Sequence, residues 1–528
     1  MQYLSEIVLG LTIAVVALSV LARVAGVPYP IVLVLGGLVI SLIPGVPKVA
    51  MNPDLVLALF LPPLLYSAAF FANLRDLRAD LRSISLAAVG LVVVTAVLVA
   101  VVAHALIDGL PWAVAFTLGA IVAPTDPLAA TTIAQRLGAP RRLVSIIEGE
   151  GLLNDGTALV IYRVAIAAAV GGGFSAGETL LRFFGGAAGG IAIGLVVGWL
   201  VAEVRRRLDD VPVEITISLG TAYAAYLPAE ALGVSGALAA VTTGIYMGWR
   251  APEISTPSMR MQGAAVWQTL QFLLNAVLFV LIGLQLPVIT GRLGGYSAAT
   301  LAGYSAAIAA AVIGARLLWV NTTPYIIRLL DRRPQQRARR ASWRVRFVVF
   351  WAGMRGAVSL AAALAIPLET HAGTAFPQRD LVIFLTFAVI LVTLVLQGLT
   401  LPAVIRALGV TDDGSAEQQE EVTARLAAAD AALQRLEELQ QEEWTRDDTI
   451  DRMRALYQYR QRRFAARADG DDPEGIETRS LAYQRTQRSV LEVQRATIWD
   501  LRRRGVISDD VMHRIERELD LEDERLEI

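Results

Sequence analysis

Long apolar segments that recur along most of the 528-residue chain constrain its fold more than any other feature of the sequence. From the N-terminus to about residue 405 they carry few charges, as in LSEIVLGLTIAVVALSVLA. A helix of about twenty apolar residues crosses the hydrocarbon core of a bilayer and satisfies its own backbone polar groups. Since only 18% of the residues are charged and 55% are hydrophobic, a water-soluble protein does not fit. The sequence predicts an all-α polytopic membrane protein.

The apolar stretches divide into about thirteen predicted membrane-spanning helices. Their predicted bounds are 4–24, 28–46, 52–72, 84–108, 111–136, 142–170, 176–203, 213–232, 234–249, 263–287, 296–328, 345–368 and 380–406. Beyond these segments the composition changes, because acidic residues and arginines alternate densely. We therefore expect a transmembrane domain over residues 1–409 and a water-soluble helical tail over residues 410–528.

Arginines are concentrated in every second loop between the predicted spans. Short cytoplasmic loops are enriched in Lys and Arg. The intervening loops contain little beyond Lys48, Arg292 and Arg379. The bias predicts an extracellular N-terminus and a cytoplasmic tail. The basic set consists of Arg75, Arg78, Arg82, Arg136, Arg141, Arg142, Arg205, Arg206, Arg207, Arg250, Arg260 and the run RLLDRRPQQRARRASWRVR at 328–346.

Two of the predicted spans are interrupted at matching depths. The fifth contains APTDP and the twelfth contains WAGMRGA. An odd number of crossings separates spans four to six from spans eleven to thirteen, so the two triplets run in opposite directions. Broken helices at corresponding places in inverted repeats indicate the midplane substrate site of a secondary transporter. The freed backbone groups are tolerated only where they line a cavity or meet partners.

Acidic residues stand near the middle of two predicted spans. Asp155 lies about 20 Å along the sixth span, in EGEGLLNDG, and Asp126 lies in the break of the fifth. An ionisable side chain is costly at this depth in a membrane, so we expect these acids to have a functional role. Glu148 is seven residues before Asp155 and shares its helix face, which suits the wall of a funnel. Glu150 faces elsewhere and requires a buried cation.

Arg316 and Arg355, which lie within predicted spans, are the candidates for that cation. Between Glu150 and Arg316 we expect an ion pair that locks helices together. The remaining polar residues, Thr125 and Asn154, stand beside the two aspartates. Elsewhere, Tyr66 and Ser67 in LPPLLYSAAFF either line the same cavity or pack against neighbouring helices.

Oxygen ligands in this arrangement suit a small monovalent cation. We predict a Na⁺ site formed by Asp155 and Asp126 with Thr125 and Asn154, and no cofactor. One buried carboxylate holds either a proton or a cation favourably, but not both. Competition for that carboxylate, combined with alternating access, is sufficient for antiport. No nucleophile, metal cluster or nucleic-acid motif supports an enzyme or a nucleic-acid partner.

Five motifs in order resemble those of the bacterial NhaP-type sodium/proton antiporters, relatives of the animal sodium/hydrogen exchangers. They are APTDP, EGEGLLNDG, FLLNAVLFVLIGLQL, GMRGAVSLA and VLQGLTLP, within residues 5–408. The resemblance implies thirteen helices with two crossed broken helices, in a homodimer. A mobile ion-carrying core would occupy about 84–170 and 296–406, and the remaining helices would form the dimerisation scaffold.

The resemblance also implies roles for individual residues. Thr125 with Asp126 and Asn154 with Asp155 would form the ion site, and the Asn-Asp form is associated with one-for-one exchange. Glu150 would pair with Arg316, and Arg355 would offset the helix-end dipoles and Asp126. Ser67 departs from the family, because that position often carries an acid.

The leading hypothesis is electroneutral exchange of Na⁺ or Li⁺ for H⁺ across the plasma membrane, by elevator-like movement of the core. Three alternatives stay open: a potassium/proton antiporter, a passive cation channel, and a membrane sensor that signals through its tail. The tail begins with the helical pattern TARLAAADAALQRLEELQQEEW and contains no glycine-rich phosphate-binding motif, so it predicts a packing or oligomerisation module.

Overall fold

The structure is a computed structural model that describes residues 2–44, 53–171, 176–291, 293–330, 342–412, 414–469 and 475–526. In these ranges it is helical, with one isolated bridge between Glu369 and Ala375 and no β-strand. The chain forms two compact units, Met1–Asp412 and Asp413–Ile528. The all-α prediction is confirmed. Lys48, Arg292 and the centre of the basic run, residues 331–341, lie outside the described residues.

Each predicted span contains helix in the residues that the structure describes, and the number of membrane crossings stays a prediction. Eight helices in the described ranges are long and apolar enough to cross a membrane, and shorter apolar helices accompany them. The helices are α1 (Gln2–Ala25), α2 (Tyr29–Ser41), α3 (Pro53–Phe70), α4 (Leu74–Ser85), α5 (Val92–Leu106), α6 (Trp112–Val122), α7 (Pro127–Arg136), α8 (Arg141–Gly171), α9 (Ala176–Arg205), α10 (Val211–Ala231), α11 (Gly236–Ile254), α12 (Pro257–Thr290), α13 (Ala298–Leu330), α14 (Trp343–Trp351), α15 (Ala357–Leu364), α16 (Arg379–Val392) and α17 (Gly398–Leu408).

Several of these helices begin at a side chain that caps the first turn. Asp210 accepts a hydrogen bond from the Val213 amide at 3.0 Å at the start of α10. Ser235 and Thr256 cap α11 and α12 in the same way. Such caps satisfy amides that have no partner inside the helix. The polar residues between apolar stretches therefore act as helix boundaries.

The fourth span begins earlier than the sequence predicts. A π-helical segment, Leu86–Leu91, joins α4 to α5, so the helix starts at Leu74 instead of residue 84. The arginines and aspartates of α4 lower its mean hydropathy, so hydropathy alone does not predict it as part of a membrane span. Asn73 caps it by accepting hydrogen bonds from the amides of Arg75 and Asp76, and the backbone at Asp80 departs from helical geometry within α4.

Close helix packing in the first unit depends on small residues. Where α2 meets α12, an added Cβ at Gly283 would overlap the main chain of Val34 and Leu38. Small residues allow membrane helices to approach this closely and gain van der Waals contact. A second π-helical segment, Thr393–Gln397, joins α16 to α17.

The two interruptions predicted in the fifth and twelfth spans are present. One lies between α6 and α7 and the other between α14 and α15. They meet through the main chain, since the amide of Asp126 donates to the carbonyl of Met354 at 2.8 Å. This contact satisfies groups that each broken helix leaves open.

The second unit consists of four helices, α18 (Ser415–Leu439), α19 (Asp447–Asp469), α20 (Ile476–Arg503) and α21 (Asp509–Leu526). They pack as α18 against α19 and α20 against α21. Gly505, at a φ of +71°, permits the turn between the last two. The helix α19 ends at Asp469, and residues 470–474 lie outside the described part of the chain.

Candidate functional site

Asp126 is fixed by the broken helix that carries it. It caps α7, because its Oδ1 accepts a hydrogen bond from the Leu128 amide at 2.9 Å. Pro127 occupies the first helical turn, where its missing donor is harmless. The carboxylate thus lies at the positive end of the α7 dipole, which favours its ionised form.

Gly356, in the other break, lies directly against this carboxylate. A Cβ added there would overlap Oδ2 of Asp126. The close approach therefore requires glycine at this position. Each break consequently constrains the other, through Gly356 and through the Met354 carbonyl.

Asp155 on α8 shares one cavity with Asp126. The cavity has a volume of about 300 Å³ and reaches from both carboxylates to Asn73 and Leu77 at the start of α4. It also reaches Ser145 near the start of α8. The arginine bias places these helix starts on the predicted cytoplasmic side.

Two of the three candidate funnel residues lie in the cavity wall, and the third does not. Glu148 and Ser67 line the cavity, and Glu148 is exposed near its mouth. Tyr66 is absent from the cavity wall, so of the two roles that the sequence left open it has the packing one. Successive residues on a helix point about 100° apart, and Tyr66 turns towards α12, where its ring lies 5.4 Å from that of Trp267.

Glu150 and Arg316 form a buried ion pair. The side chains are 4% and 1% exposed, and both terminal nitrogens of Arg316 donate to the Glu150 carboxylate. The Nε and Nη2 groups also donate to main-chain carbonyls of α14, those of Val349 and Phe350. The pair therefore links α8, α13 and the first half of a broken helix.

Thr125 and Asn154 extend this polar network instead of facing the cavity together. The Thr125 hydroxyl donates to Oε1 of Glu150 at 3.0 Å, and Nδ2 of Asn154 donates to that hydroxyl at 2.9 Å. Thr125 lines the cavity, whereas Asn154 is absent from its wall. The predicted ligand set is therefore only partly assembled: Asp126, Asp155 and Thr125 share the cavity, and Asn154 supports Thr125 from behind.

Arg355 is fully buried and contacts main-chain oxygens. Its Nε donates to the carbonyl of Val122, the last residue of α6, at 3.0 Å, and its Nη1 donates to the carbonyl of Gly353. A cation at a helix C-terminus complements the dipole. In the described residues Arg355 forms no ion pair with Asp126, so its contacts offset helix ends and not that carboxylate.

Towards the C-terminal end of α8 the cavity is closed. Only about 10 Å³ of space remains between Asp155 and Tyr162, among apolar side chains such as Ala158 and Leu159. Further along α8, Nη2 of Arg163 donates to both carboxylate oxygens of Glu230 on α10, at 2.6 and 2.5 Å. Among the described residues, the larger cavity therefore approaches the two aspartates from the α4 side.

Six polar residues of the cavity wall were not singled out from the sequence. They are Gln271 and Asn275 on α12, Ser359 on α15, Asn73 before α4, Thr131 on α7 and Ser145 on α8. A polar side chain within an apolar span was the available signal, particularly for Asn275 in FLLNAVLF. The first two are four residues apart and hence on one helix face.

The site can bind a cation or protons. Neither Asp126 nor Asp155 has a cationic partner in the described residues. A carboxylate without such a partner in a water-accessible cavity can be neutralised by a proton or a cation. The described ranges contain no group of three or more acidic, His or Cys side chains suited to a multivalent metal. Two carboxylates with neutral oxygens suit a monovalent ion.

Comparisons with known proteins identify relatives along most of the chain. Residues 10–407 match the family described as sodium/hydrogen exchanger, transmembrane. An uncharacterised Na⁺/H⁺ exchanger of Mycobacterium tuberculosis is 37% identical over 527 residues, covering 98% of this chain and 96% of the relative. The Na⁺/H⁺ antiporter ApNhaP of Aphanothece halophytica is 32% identical, over 81% of this chain and 78% of the relative.

A solved structure has a similar fold. The sodium proton antiporter MjNhaP1 of Methanocaldococcus jannaschii superposes with a TM-score of 0.60 at 20% identity. The match covers 75% of this chain and 99% of that structure. At this identity the similarity concerns the fold alone, and it agrees with a polytopic helical membrane protein.

Proposed function

The chain belongs to the sodium/hydrogen exchanger family, and on that premise we propose that it exchanges Na⁺ or Li⁺ for H⁺ one for one across the plasma membrane. Its relatives are cation/proton antiporters, so it is a multi-pass transporter and not an enzyme. The observation that carries the proposal is the placement of Asp155 and Asp126 in one cavity that is open at one end and closed at the other.

Competition at Asp155 would couple the two ions. Asp126 is held at a helix N-terminus by the Leu128 amide, a position that suits a cation ligand. Asp155 has no such main-chain partner and alternates between a proton and Na⁺. Asn154, the neighbouring side chain, is neutral and bound to Thr125. One exchangeable charge at the site gives one-for-one exchange.

Alternating access would require the core to move against the scaffold. The core comprises the broken helices with α5, α8, α13, α16 and α17, and the scaffold comprises the other spans. Both carboxylates belong to the core, whereas Gln271 and Asn275 of the cavity wall belong to the scaffold. An elevator-like movement would therefore carry the carboxylates past a fixed wall. We place the N-terminus outside and the tail in the cytoplasm.

A homodimer is part of the same proposal. The apolar stretch Val8–Ala25 of α1 has 11% of its residues buried in the single chain. Lipid or a second copy of the chain would cover this surface. No cofactor is needed, because the transported ions supply the coupling.

Exchange in proteoliposomes tests this function. We expect Na⁺ or Li⁺ to dissipate a preformed pH gradient in vesicles containing the protein and not in protein-free vesicles. An imposed membrane voltage should leave the initial rate unchanged, because one-for-one exchange moves no net charge. Clear voltage dependence would contradict that stoichiometry, and cation current without proton movement would indicate a channel.

Potassium is a second candidate substrate. A relative from Bacillus subtilis is named a sodium, potassium, lithium and rubidium/H⁺ antiporter, and it is 33% identical over 74% of this chain. Oxygen ligands alone do not select cation size. A K⁺ response equal to the Na⁺ response in the same vesicles would favour this wider specificity.

The Arg163–Glu230 pair is expected to hold the closed side of the cavity. Such partly exposed pairs contribute about 0.2–1 kcal/mol, so Glu230→Gln should shift the ratio of open states by up to about fivefold. The chain has no cysteine, and Ser145→Cys therefore provides a single thiol in the cavity. A water-soluble maleimide should label this thiol up to about fivefold more slowly when Glu230→Gln is added, because the cavity would then be open at this end less often.

Two variants control this measurement. Glu253→Gln removes an acid that pairs with Arg250 inside one helix, and it should leave the labelling rate unchanged. Exchanging the charges, in Arg163→Glu with Glu230→Arg, should restore the original rate. Unchanged labelling in Glu230→Gln would show that the pair does not hold this state.

A further inference from the structure

One face of the α4–α5 helix is exposed along its whole length. Its apolar part consists of Val89, Val93, Val97 and Val101, which are 42–48% exposed. Their spacing of four residues places them on one side of the helix. In a membrane-spanning helix such a stripe contacts lipid tails.

The same face continues into arginines at the start of the helix. Arg82, Arg78 and Arg75 precede Val89 in the same continuous helical stretch, which departs from α-helical geometry at Asp80 and over Leu86–Leu91, and all three are exposed. The arginines therefore lie beyond the N-terminal end of the apolar stripe, where we expect the hydrocarbon core to end and the lipid headgroups to begin.

The acidic residues of α4 are turned away from this face. Asp76 pairs with Arg141 at 3.1 Å, and Asp80 binds Arg142 through two hydrogen bonds of 3.0 and 2.6 Å. Arg75 and Arg78 form no ion pair with any residue that the structure describes. The exposed face of α4 is accordingly positive, although the helix also contains two aspartates.

We propose that Arg75, Arg78 and Arg82 bind the phosphate groups of anionic phospholipids in the cytoplasmic leaflet. Guanidinium groups pair well with phosphate oxygens, and the position of the arginines beside the valine stripe selects a lipid over a soluble anion. The leaflet follows from the topology proposed above, whereas the binding itself is independent of transport.

This surface adjoins the mouth of the ion cavity. Leu77 and Asn73, at the start of α4, line that cavity. Ile84 and Leu77 also lie against Gly149 of α8, where an added Cβ would meet both side chains. A lipid held by the arginines would therefore keep α4 in place beside α8 and support the open mouth.

Lipid binding to the purified full-length chain tests the proposal. Native mass spectrometry would measure phosphatidylglycerol and phosphatidylcholine bound from mixed detergent micelles. An arginine near anionic lipid contributes about 1 kcal/mol, so Arg75→Gln with Arg78→Gln should weaken phosphatidylglycerol binding by about tenfold or more. Phosphatidylcholine binding should not change.

Two matched pairs of substitutions make the outcome specific. Arg206→Gln with Arg207→Gln removes two exposed arginines that pair with Glu203 and should leave phosphatidylglycerol binding intact. Arg75→Lys with Arg78→Lys keeps the charge and should retain most of the binding. Equal phosphatidylglycerol binding by the native chain and the α4 glutamine variant would overturn the proposal.

A transport measurement separates this inference from the proposed function. In vesicles of phosphatidylcholine with increasing phosphatidylglycerol, the native chain should exchange ions faster, and the α4 glutamine variant should lose that dependence. If the α4 glutamine variant lost lipid binding but exchanged ions normally, the lipid site would be supported and its role would be limited to anchoring the protein. Absence of exchange in every vesicle would contradict the proposed function and leave the binding result standing.

Discussion

Asp155→Asn is expected to abolish cation-driven proton movement, down to the level of protein-free vesicles. The substitution preserves shape but removes a carboxylate that lines the cavity with Asp126 and, unlike Asp126, accepts no main-chain hydrogen bond in the described residues. Asparagine can neither release a proton nor neutralise a cation, so neither half of the exchange would proceed. The measurement is the initial rate of pH-gradient dissipation on addition of Na⁺ or Li⁺.

Folding is tested separately for this variant. Asp155 has no cationic partner in the described structure, and an unpaired buried charge destabilises a protein. The Asn variant should therefore unfold at the same temperature as the native chain or a higher one. Glu148→Gln, at the exposed mouth of the same cavity, is the matched control and should retain exchange within a few-fold. Normal exchange by Asp155→Asn would remove Asp155 from the mechanism.

Glu150→Gln is expected to destabilise the protein strongly while changing the apparent Na⁺ affinity little. The substitution leaves Arg316, a residue with a 1% exposed side chain, without its anionic partner. Removing one member of a buried pair costs about 3–5 kcal/mol. It also weakens the hydrogen bond from Thr125. Thermal unfolding in detergent would measure the effect as a lower midpoint temperature.

Removing both charges distinguishes the pair from a general packing defect. Replacing a buried pair by apolar groups of similar size is frequently neutral, so Glu150→Gln with Arg316→Met should recover part of the lost stability. Glu203→Gln, which disrupts ion pairs at the surface, should change the midpoint little. An unchanged midpoint with a large loss of Na⁺ affinity in Glu150→Gln would place Glu150 in the ion site.

Sequence reasoning succeeded where the chemistry is local to one helix. Pro124 and Pro127 interrupt the fifth span wherever the rest of the chain lies, because proline cannot donate the hydrogen bond that a helix requires. The α4 helix shows the limit of hydropathy. Its arginines and aspartates made it resemble a loop, although they cover its exposed face and its contact with α8.

The direction in which a side chain points was harder to predict from the sequence than the position of its helix. Tyr66 and Ser67 are adjacent in an apolar helix, and the sequence did not indicate which faces the cavity. The answer depends on α12, which presents Trp267 to Tyr66 and Gln271 to the cavity. In the same way, Asn154 was expected beside a bound ion and instead donates to Thr125.

The sequence by itself determined the helical membrane architecture, the two breaks and the depth of the acidic residues. Hydrophobicity, proline geometry and the rise of a helix act within a single segment, so these features can be predicted without knowing the neighbours. Only the tertiary structure decided that Ser67 and not Tyr66 lines the cavity, and that Asp155 has no cationic partner among the described residues. Those properties depend on contacts between segments far apart in the chain, and the free energy of a buried charge is set by the partner that such contacts supply.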